Sequence, residues 1–152
     1  MEKEILVRRA RSEDLVHVYR IESVSFEYPY SKGDIDALFN IYRDSFFVAE
    51  YNKLVIGYII GRINRYLGHI ISIAVDPSYR GRGIGTKLLL KLIDYFKRHG
   101  VRIIRLEVSC DNYPAISLYR KIGFHEKYKI LRYYPDGKDC YVMFLFVQEH
   151  QA

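Results

Sequence analysis

The chain has 152 residues, 49% hydrophobic and 28% charged, and its 24 basic against 18 acidic residues give a formal net charge of +6. That length and balance fit one globular domain with a single buried core and exclude a low-complexity chain. No apolar run approaches membrane-spanning length, and Met1-Glu2-Lys3-Glu4 is too short and charged for a signal peptide, so the expected compartment is the cytoplasm.

Ile5-Leu6-Val7-Arg8 reads as an opening strand, and Ser12 as the N-cap of a helix carrying Leu15, Val18, Tyr19 and Glu22 at helical spacing. Pro29 disfavours helix at Tyr28, and Ser31-x-x-Asp34 has the form of a capping box that opens a second short helix through Leu38 and Phe39. Residues 46–51 and 55–60 flank a turn at Asn52-Lys53, the pattern of a hairpin. Gly68 precedes a central strand over residues 69–75. A helix from Gly83 to about His99 turns Leu88, Leu89, Leu92, Ile93 and Phe96 inward and Lys87, Lys91, Lys97 and Arg98 outward, with Gly100 as its stop. Residues 103–108 form a second apolar strand interrupted by one carboxylate, Glu107. Asn112 can cap the next helix, which has Pro114 in its first turn and Gly123 beyond its end. Residues 127–133 and 140–147 make a closing strand pair around Pro135-Asp136-Gly137. The order β-α-α-β-β-β-α-β-α-β-β predicts a three-layer α/β domain with a mixed sheet, spanning residues 1–152 without a linker.

Between the central strand and the long helix, glycine recurs at Gly81, Gly83 and Gly85. A glycine-rich turn at a helix N-terminus exposes backbone N–H groups and the positive end of the macrodipole, which together bind phosphate oxygens. Arg80 and Arg82 add charge there. The register is G-x-G-x-G rather than G-x-G-x-x-G, and Gly85-Thr86-Lys87 misplaces the lysine of a P-loop. What fits is Arg80-x-x-Gly83-x-Gly85, which resembles the R/Q-x-x-G-x-G/A signature of the GNAT superfamily, whose members transfer acyl groups from coenzyme A to amines. A surface turn that merely contains glycines is the alternative.

The element order resembles the GNAT fold over nearly the whole chain, and four segments resemble protein N-terminal acetyltransferases, a group that includes bacterial ribosomal-protein alanine acetyltransferases and archaeal nascent-chain enzymes. These are Tyr28-Pro29-Tyr30; residues 69–75; Leu106-Glu107-Val108-x-x-x-Asn112 with Ala115 and Leu118-Tyr119; and Tyr133-Tyr134-Pro135-Asp136-Gly137-x-Asp139. The resemblance implies acetyl-CoA as cosubstrate, no metal requirement, and protein or peptide N-termini as acceptors, with the ribosome or nascent chains as partners and no membrane. It also implies a helix-flanked sheet splayed between its two middle parallel strands, where a bulge after Ile73 lets coenzyme A pair with the main chain. Ile73, Ala74 and Val75 would hold the pantetheine arm, and Arg80, Gly81, Arg82, Gly83, Ile84, Gly85 and Thr86 the pyrophosphate. Asn112 and Tyr119 would lie beside the arm and the thioester.

A free α-amine has a pKa near ~8, so a modest proton acceptor suffices, whereas a lysine amine near ~10.4 needs more help. The resemblance puts Glu107 at the base position, and His69 on the neighbouring strand could share its water or proton. An ion pair of Glu107 with Arg105 or Arg102, and a hydrogen-bonded strand-end role for His69, are the alternatives. Two such ligands do not make a dedicated metal site. Tyr119 is the candidate acid, or hydrogen-bond donor, for the departing thiol, with aromatic packing as its alternative. Tyr28 and Tyr133 or Tyr134 are positioned to hydrogen-bond the first peptide units of the acceptor. Cys110 and Cys140 lack metal-type spacing and a sequence-local activating base, so free thiols and direct transfer in a ternary complex are expected rather than an acyl-cysteine. Acetylation of lysine or a small polyamine is the second enzymatic reading, and a non-catalytic ribosome- or RNA-associated module, suited to the positive charge, is the third.

Overall fold

Local chemistry sets most of the element ends. The structure is a computed structural model that describes residues 4–147; Met1, Glu2 and Lys3 of the charged N-terminal stretch lie outside the described residues. Its strands are β1 (Leu6–Arg9), β2 (Phe46–Tyr51), β3 (Leu54–Asn64), β4 (Leu67–Val75), β5 (Ile103–Ser109), β6 (His125–Ile130) and β7 (Cys140–Phe146). Its helices are α1 (Leu15–Ser25), α2 (Lys32–Ile41), α3 (Ile84–Arg98) and α4 (Tyr113–Ile122). Strands and helices follow one another in the order expected from the sequence. The seven strands hydrogen-bond in the order β1-β2-β3-β4-β5-β7-β6. The β4–β5 pair is parallel, and the other paired strands with a described register are antiparallel, so the sheet is mixed. Among the described residues no helix is long and apolar enough to cross a membrane.

Backbone contacts divide the chain into two compact units. The first comprises the residues up to Arg62 together with Ile71–Tyr95. Its β2–β3 hairpin turns on Asn52 and Lys53, whose φ values of 51° and 65° are the left-handed pair that a two-residue I′-type loop requires. Its core joins Val18 and Ile21 of α1 to Ile35 and Phe39 of α2 and to the inner face of the hairpin, with Phe39 edge-on to Phe46 at 5.9 Å. The Ser31–Asp34 capping box forms as expected, Asp34 N–H donating to the Ser31 hydroxyl and Ser31 N–H to the Asp34 carboxylate.

The second unit comprises Ile63–Ile70 together with the residues from Phe96 onward. It holds the start of β4, then β5, β7 and β6, with α4 capped by Asn112 through Ala115 N–H and closed by Gly123 at φ 121°. The parallel β4–β5 ladder pairs Leu67, Gly68 and His69 with Ile103, Ile104 and Arg105. Both strands alternate strictly between buried and half-buried residues. Glu107 therefore does not interrupt an all-buried strand; it falls in the half-buried set with Ile103, Arg105 and Ser109.

Several boundaries differ from the sequence expectation, among them β3, which runs Leu54–Asn64 rather than 55–60. Ser12 opens a short 3₁₀ turn, Ser12–Asp14, and its hydroxyl donates to Glu13. Asp14 stands at the N-cap position of α1 without a side-chain cap bond; its carboxylate turns back to accept the Arg11 N–H at 2.7 Å and is held by the Arg8 guanidinium at 2.7 Å. The central strand starts at Leu67 rather than His69, because β3 runs on to Asn64 before the chain turns. Finally, β6 begins at His125 and ends at Ile130, short of Tyr133. Arg132 adopts φ 54°, and its N–H turns to the Asp139 carboxylate at 2.9 Å, which ends the strand.

Gly68 in β4 is a steric requirement: a Cβ there would lie 2.8 Å from the ring of buried Phe96. Gly68→Ala should lower stability by about 1–3 kcal/mol through overpacking. In urea the unfolding midpoint should fall with an unchanged m-value.

Candidate active site

Within the first unit, β4 delivers the chain to the glycine-rich turn. Asp76 anchors that delivery: its N–H donates to the Ile56 carbonyl at 2.7 Å, and its carboxylate accepts Ser78 N–H at 2.9 Å and pairs with Arg20 at 3.1 Å. The Ser78 N–H, with Arg20 adding to it, holds the Asp76 carboxyl below the usual carboxylate range. Gly81 and Gly83 sit at φ 78° and 79°, and a Cβ on either would meet nothing within 4 Å. The turn thus presents bare backbone to open space. α3 starts at Ile84, and Lys87 N–H donates to the Gly83 carbonyl. The N–H groups of Ile84, Gly85 and Thr86 precede that first helical bond and have no intrahelical partner. Ile84 itself is buried, so only its main chain can serve a ligand.

The two arginines of the motif behave differently. Arg80 folds back, its Nε donating to the Val75 carbonyl at 3.0 Å and its Nη2 to the Ser25 hydroxyl at 3.1 Å. It ties the end of β4 to the end of α1. Arg82 lies over the Tyr79 ring at 5.2 Å. Along β4, Ser72 and Ala74 are buried while Ile73 and Val75 are half-buried. Open backbone, orphan amides and a positive helix end make this turn a fit for a diphosphate such as that of coenzyme A.

Within the second unit, His69 and Glu107 come together. His69 Nε2 lies 2.7 Å from Glu107 Oε2. The contact follows from register: His69 pairs with Arg105, and Glu107 is two residues further along the same face of β5. Arg105 Nε approaches the other carboxylate oxygen, Glu107 Oε1, at 3.3 Å, near enough for an ion pair but without hydrogen-bond alignment. Both partners offered by the sequence, a histidine and an arginine, are therefore present at once. His69 Nδ1 is buried without a hydrogen-bond partner in the structure. When Nε2 carries the proton and donates it to Glu107, Nδ1 offers a lone pair.

Tyr133 and Tyr134 stand edge to face at 4.9 Å in the loop before β7. Lys138 pairs with Asp111 at 3.0 Å, and Cys110 N–H donates to the Asp139 carbonyl at 3.0 Å, so this loop is tied to the one that leads into α4. Burial, followed by the charge of Glu107, raises the Tyr133 hydroxyl above its ordinary value. Burial also raises Tyr134, with smaller effects from Cys140, Tyr133 and Glu107. Tyr119 of α4 is 8% exposed, packs edge-on to Phe124 at 6.0 Å, and is pushed by burial up to about 12. Burial pushes the Cys140 thiol up to about 11 and raises Cys110 as well. Both cysteines are free.

The structure brings His69 and Glu107 together; it places Asn112, Tyr119, Tyr133 and Tyr134 in the same second unit, and Ile73, Ala74, Val75, residues 80–86 and Tyr28 in the first. Two features escaped the sequence reading: Arg80 as a tie rather than a pendant charge, and Glu22, buried beneath the loop that carries Tyr28. A glutamate at an inward helical position was the available signal for the second. Among the described residues, no group of three or more His, Cys, Asp or Glu is placed to hold a metal ion.

Burial pushes the Tyr119 phenol up to about 12 in the folded chain, above the ordinary phenol value near ~10, so the unfolded chain releases its proton first. Its contribution is whole below pH ~10 and is lost as pH rises to ~12, roughly 3 kcal/mol in all. The loss of stability between those pH values should be smaller in Tyr119→Phe than in the wild type, as read by denaturant titration.

Residues 15–124 match the Acetyltransferase (GNAT) family. The N-alpha-acetyltransferase of Sulfurisphaera tokodaii is 36% identical over 93% of this chain and 92% of its own. Ard1 from Thermoplasma volcanium is similar in structure, with a TM-score of 0.91, 31% identity, and coverage of 95% of this chain and 99% of that one. A chain of the NatC complex, solved with Gag peptide and CoA, has a TM-score of 0.87 and 27% identity over 97% of this chain and 100% of its own. The motif, the strand order and these likenesses converge: this chain belongs to the GNAT acetyltransferase family.

Proposed function

We propose that this protein is an N-terminal protein acetyltransferase, moving an acetyl group from acetyl-CoA directly to the α-amine of a protein or peptide. The observation that carries this reading is the 2.7 Å contact of His69 with Glu107, in the same unit as a tyrosine pair whose hydroxyls remain protonated. The names of the archaeal relative and of Ard1, and the Gag peptide and CoA bound to the NatC complex that contains the similar chain, support it.

Acetyl-CoA supplies, when bound, an acyl group activated as a thioester. The amides of Ile84, Gly85 and Thr86, with the bare backbone of Gly81 and Gly83 and the charge of Arg82, hold its diphosphate. The main chain of Ile73, Ala74 and Val75 holds the amide-rich arm. Asn112 caps α4 and so fixes the helix that carries Tyr119. Glu107 receives the amine's proton, directly or through a water, and His69 orients that carboxylate through Nε2 while Nδ1 is available as a second acceptor. Tyr119, raised to about 12, keeps its proton and donates a hydrogen bond toward the developing thiolate. Tyr28, Tyr133 and Tyr134 hydrogen-bond the first peptide units of the acceptor. The raised thiols of Cys110 and Cys140 make poor nucleophiles, which favours direct transfer over an acyl-cysteine.

Mass spectrometry of lysine-containing peptides with free or blocked N-termini tests the reading. Free α-amines should be acetylated, and blocked peptides should not. Glu107→Gln should lower kcat by about 10²-fold, the usual worth of a positioned base. Tyr119→Phe should lower it about tenfold, the worth of one hydrogen bond to developing charge. Equal acetylation of blocked peptides on lysine would instead make this a lysine acetyltransferase.

A further inference from the structure

Glu22 is a carboxylate taken almost wholly out of water, 2% exposed, in the C-terminal half of α1. Such a group is tolerated only where other donors replace the water it has given up. Here Oε1 accepts the Tyr58 hydroxyl at 2.6 Å and the Ser72 hydroxyl at 2.8 Å. Oε2 accepts the backbone N–H of Tyr30 at 3.4 Å. All three donors are neutral, and each comes from a different piece of the same unit: β3, β4 and the segment joining α1 to α2.

The two ends of the carboxylate differ in stiffness. Tyr58 is fully buried, and burial, with the charge of Glu22 second, holds its hydroxyl well above the ordinary phenol range, so it stays a donor. The Tyr58 and Ser72 hydroxyls both lie within hydrogen-bond distance of Oε1 and are 3.2 Å from each other. Oε1 is therefore anchored to two adjacent strands. On the other side, Oε2 meets the loop at the Tyr30 amide, 3.4 Å away. Pro29 precedes Tyr30, has no N–H of its own and has a locked φ, so fixing the Tyr30 amide also limits where Tyr28 can point.

We propose that Glu22 is a positioning residue for the acceptor: anchored through Oε1 to β3 and β4, it holds the Tyr28-Pro29-Tyr30 segment through Oε2. It touches neither acetyl donor nor amine. The inference rests on the proposed function in one respect, that Tyr28 meets the acceptor peptide.

Glu22→Gln separates the two ends. The glutamine oxygen stays with the two hydroxyls, which need an acceptor, and its NH₂ then faces the Tyr30 N–H, donor against donor. The variant should raise the acceptor KM about tenfold, the loss of one hydrogen bond to a charged group. The KM for acetyl-CoA and kcat should stay within about twofold of wild type. Hydrogen exchange, measured without substrates, should quicken at the Tyr30 amide and not in β3 or β4. Pro29→Gly supplies a second variant that leaves every contact of Glu22 in place; it should raise the acceptor KM while the Tyr30 amide stays protected. A wild type that acetylates no free-amine peptide overturns the reading of the reaction, before any variant is compared. With an active wild type, an unchanged acceptor KM in Glu22→Gln, an unaltered Tyr30 exchange rate, or an equal loss in both KM values and kcat overturns the role of Glu22 alone.

Discussion

The strict two-residue alternation of β4 and β5, locked in register by three parallel pairs, is the constraint on which the rest depends. It puts Gly68, Ile70, Ser72 and Ala74 on one face of β4 and Leu67, His69, Ile71, Ile73 and Val75 on the other. On β5 it groups Arg105 and Glu107 with the half-buried residues. A slip of one residue in either strand would exchange the faces: Glu107 would be driven into a core with no histidine to meet it, and Ser72 would leave Glu22 one donor short. Gly68 guards that register sterically, since only a residue without Cβ fits above Phe96.

Two carboxylates show what the alternation accomplishes. Glu22 faces the interior and is satisfied by two hydroxyls and an amide, groups that hold their protons through the physiological range. Nothing in that environment can pass a proton on, so the carboxylate holds structure together. Glu107 lies on the half-buried face, where its partner is an imidazole, the one side chain whose ordinary pKa lies near neutrality. Among the described residues the second imidazole nitrogen has no hydrogen-bond partner. In the proposed reaction the same functional group serves as joint or as base according to what is placed around it.

What could be read from the sequence was whatever a few neighbouring residues decide. The Ser31–Asp34 box, the Asn112 cap, the Asn52-Lys53 turn and the stop at Gly123 are all settled within four residues, and each stands where the sequence put it. Ser12 does not cap α1: its hydroxyl donates to Glu13, while the Asp14 carboxylate, held by Arg8 from the preceding strand, takes the Arg11 N–H. β6 stopped early because Asp139, seven residues ahead, captured the Arg132 amide. Arg80 reads as a free charge beside glycines until Val75 and Ser25 are seen to claim its guanidinium. Glu22 depends on partners up to 50 residues away, and no spacing rule reaches that far.

The tyrosines narrow the chemistry further. Every one whose titration is visibly displaced, Tyr58, Tyr95, Tyr119, Tyr133 and Tyr134, is displaced upward, with burial as the leading cause. Phenols held that way donate hydrogen bonds without releasing protons. In the proposed reaction Tyr133 and Tyr134 orient peptide carbonyls and Tyr119 stabilises a thiolate, and a thiol with a pKa near ~8.5 leaves readily without full protonation. Proton acceptance then falls to the His69–Glu107 pair alone. A carboxylate–imidazole pair suits an amine that is already partly neutral, such as an α-amine near ~8, better than a lysine near ~10.4. The upward shift of the phenols and the choice of acceptor are thus linked: a site whose acids keep their protons needs a substrate that gives its own up easily.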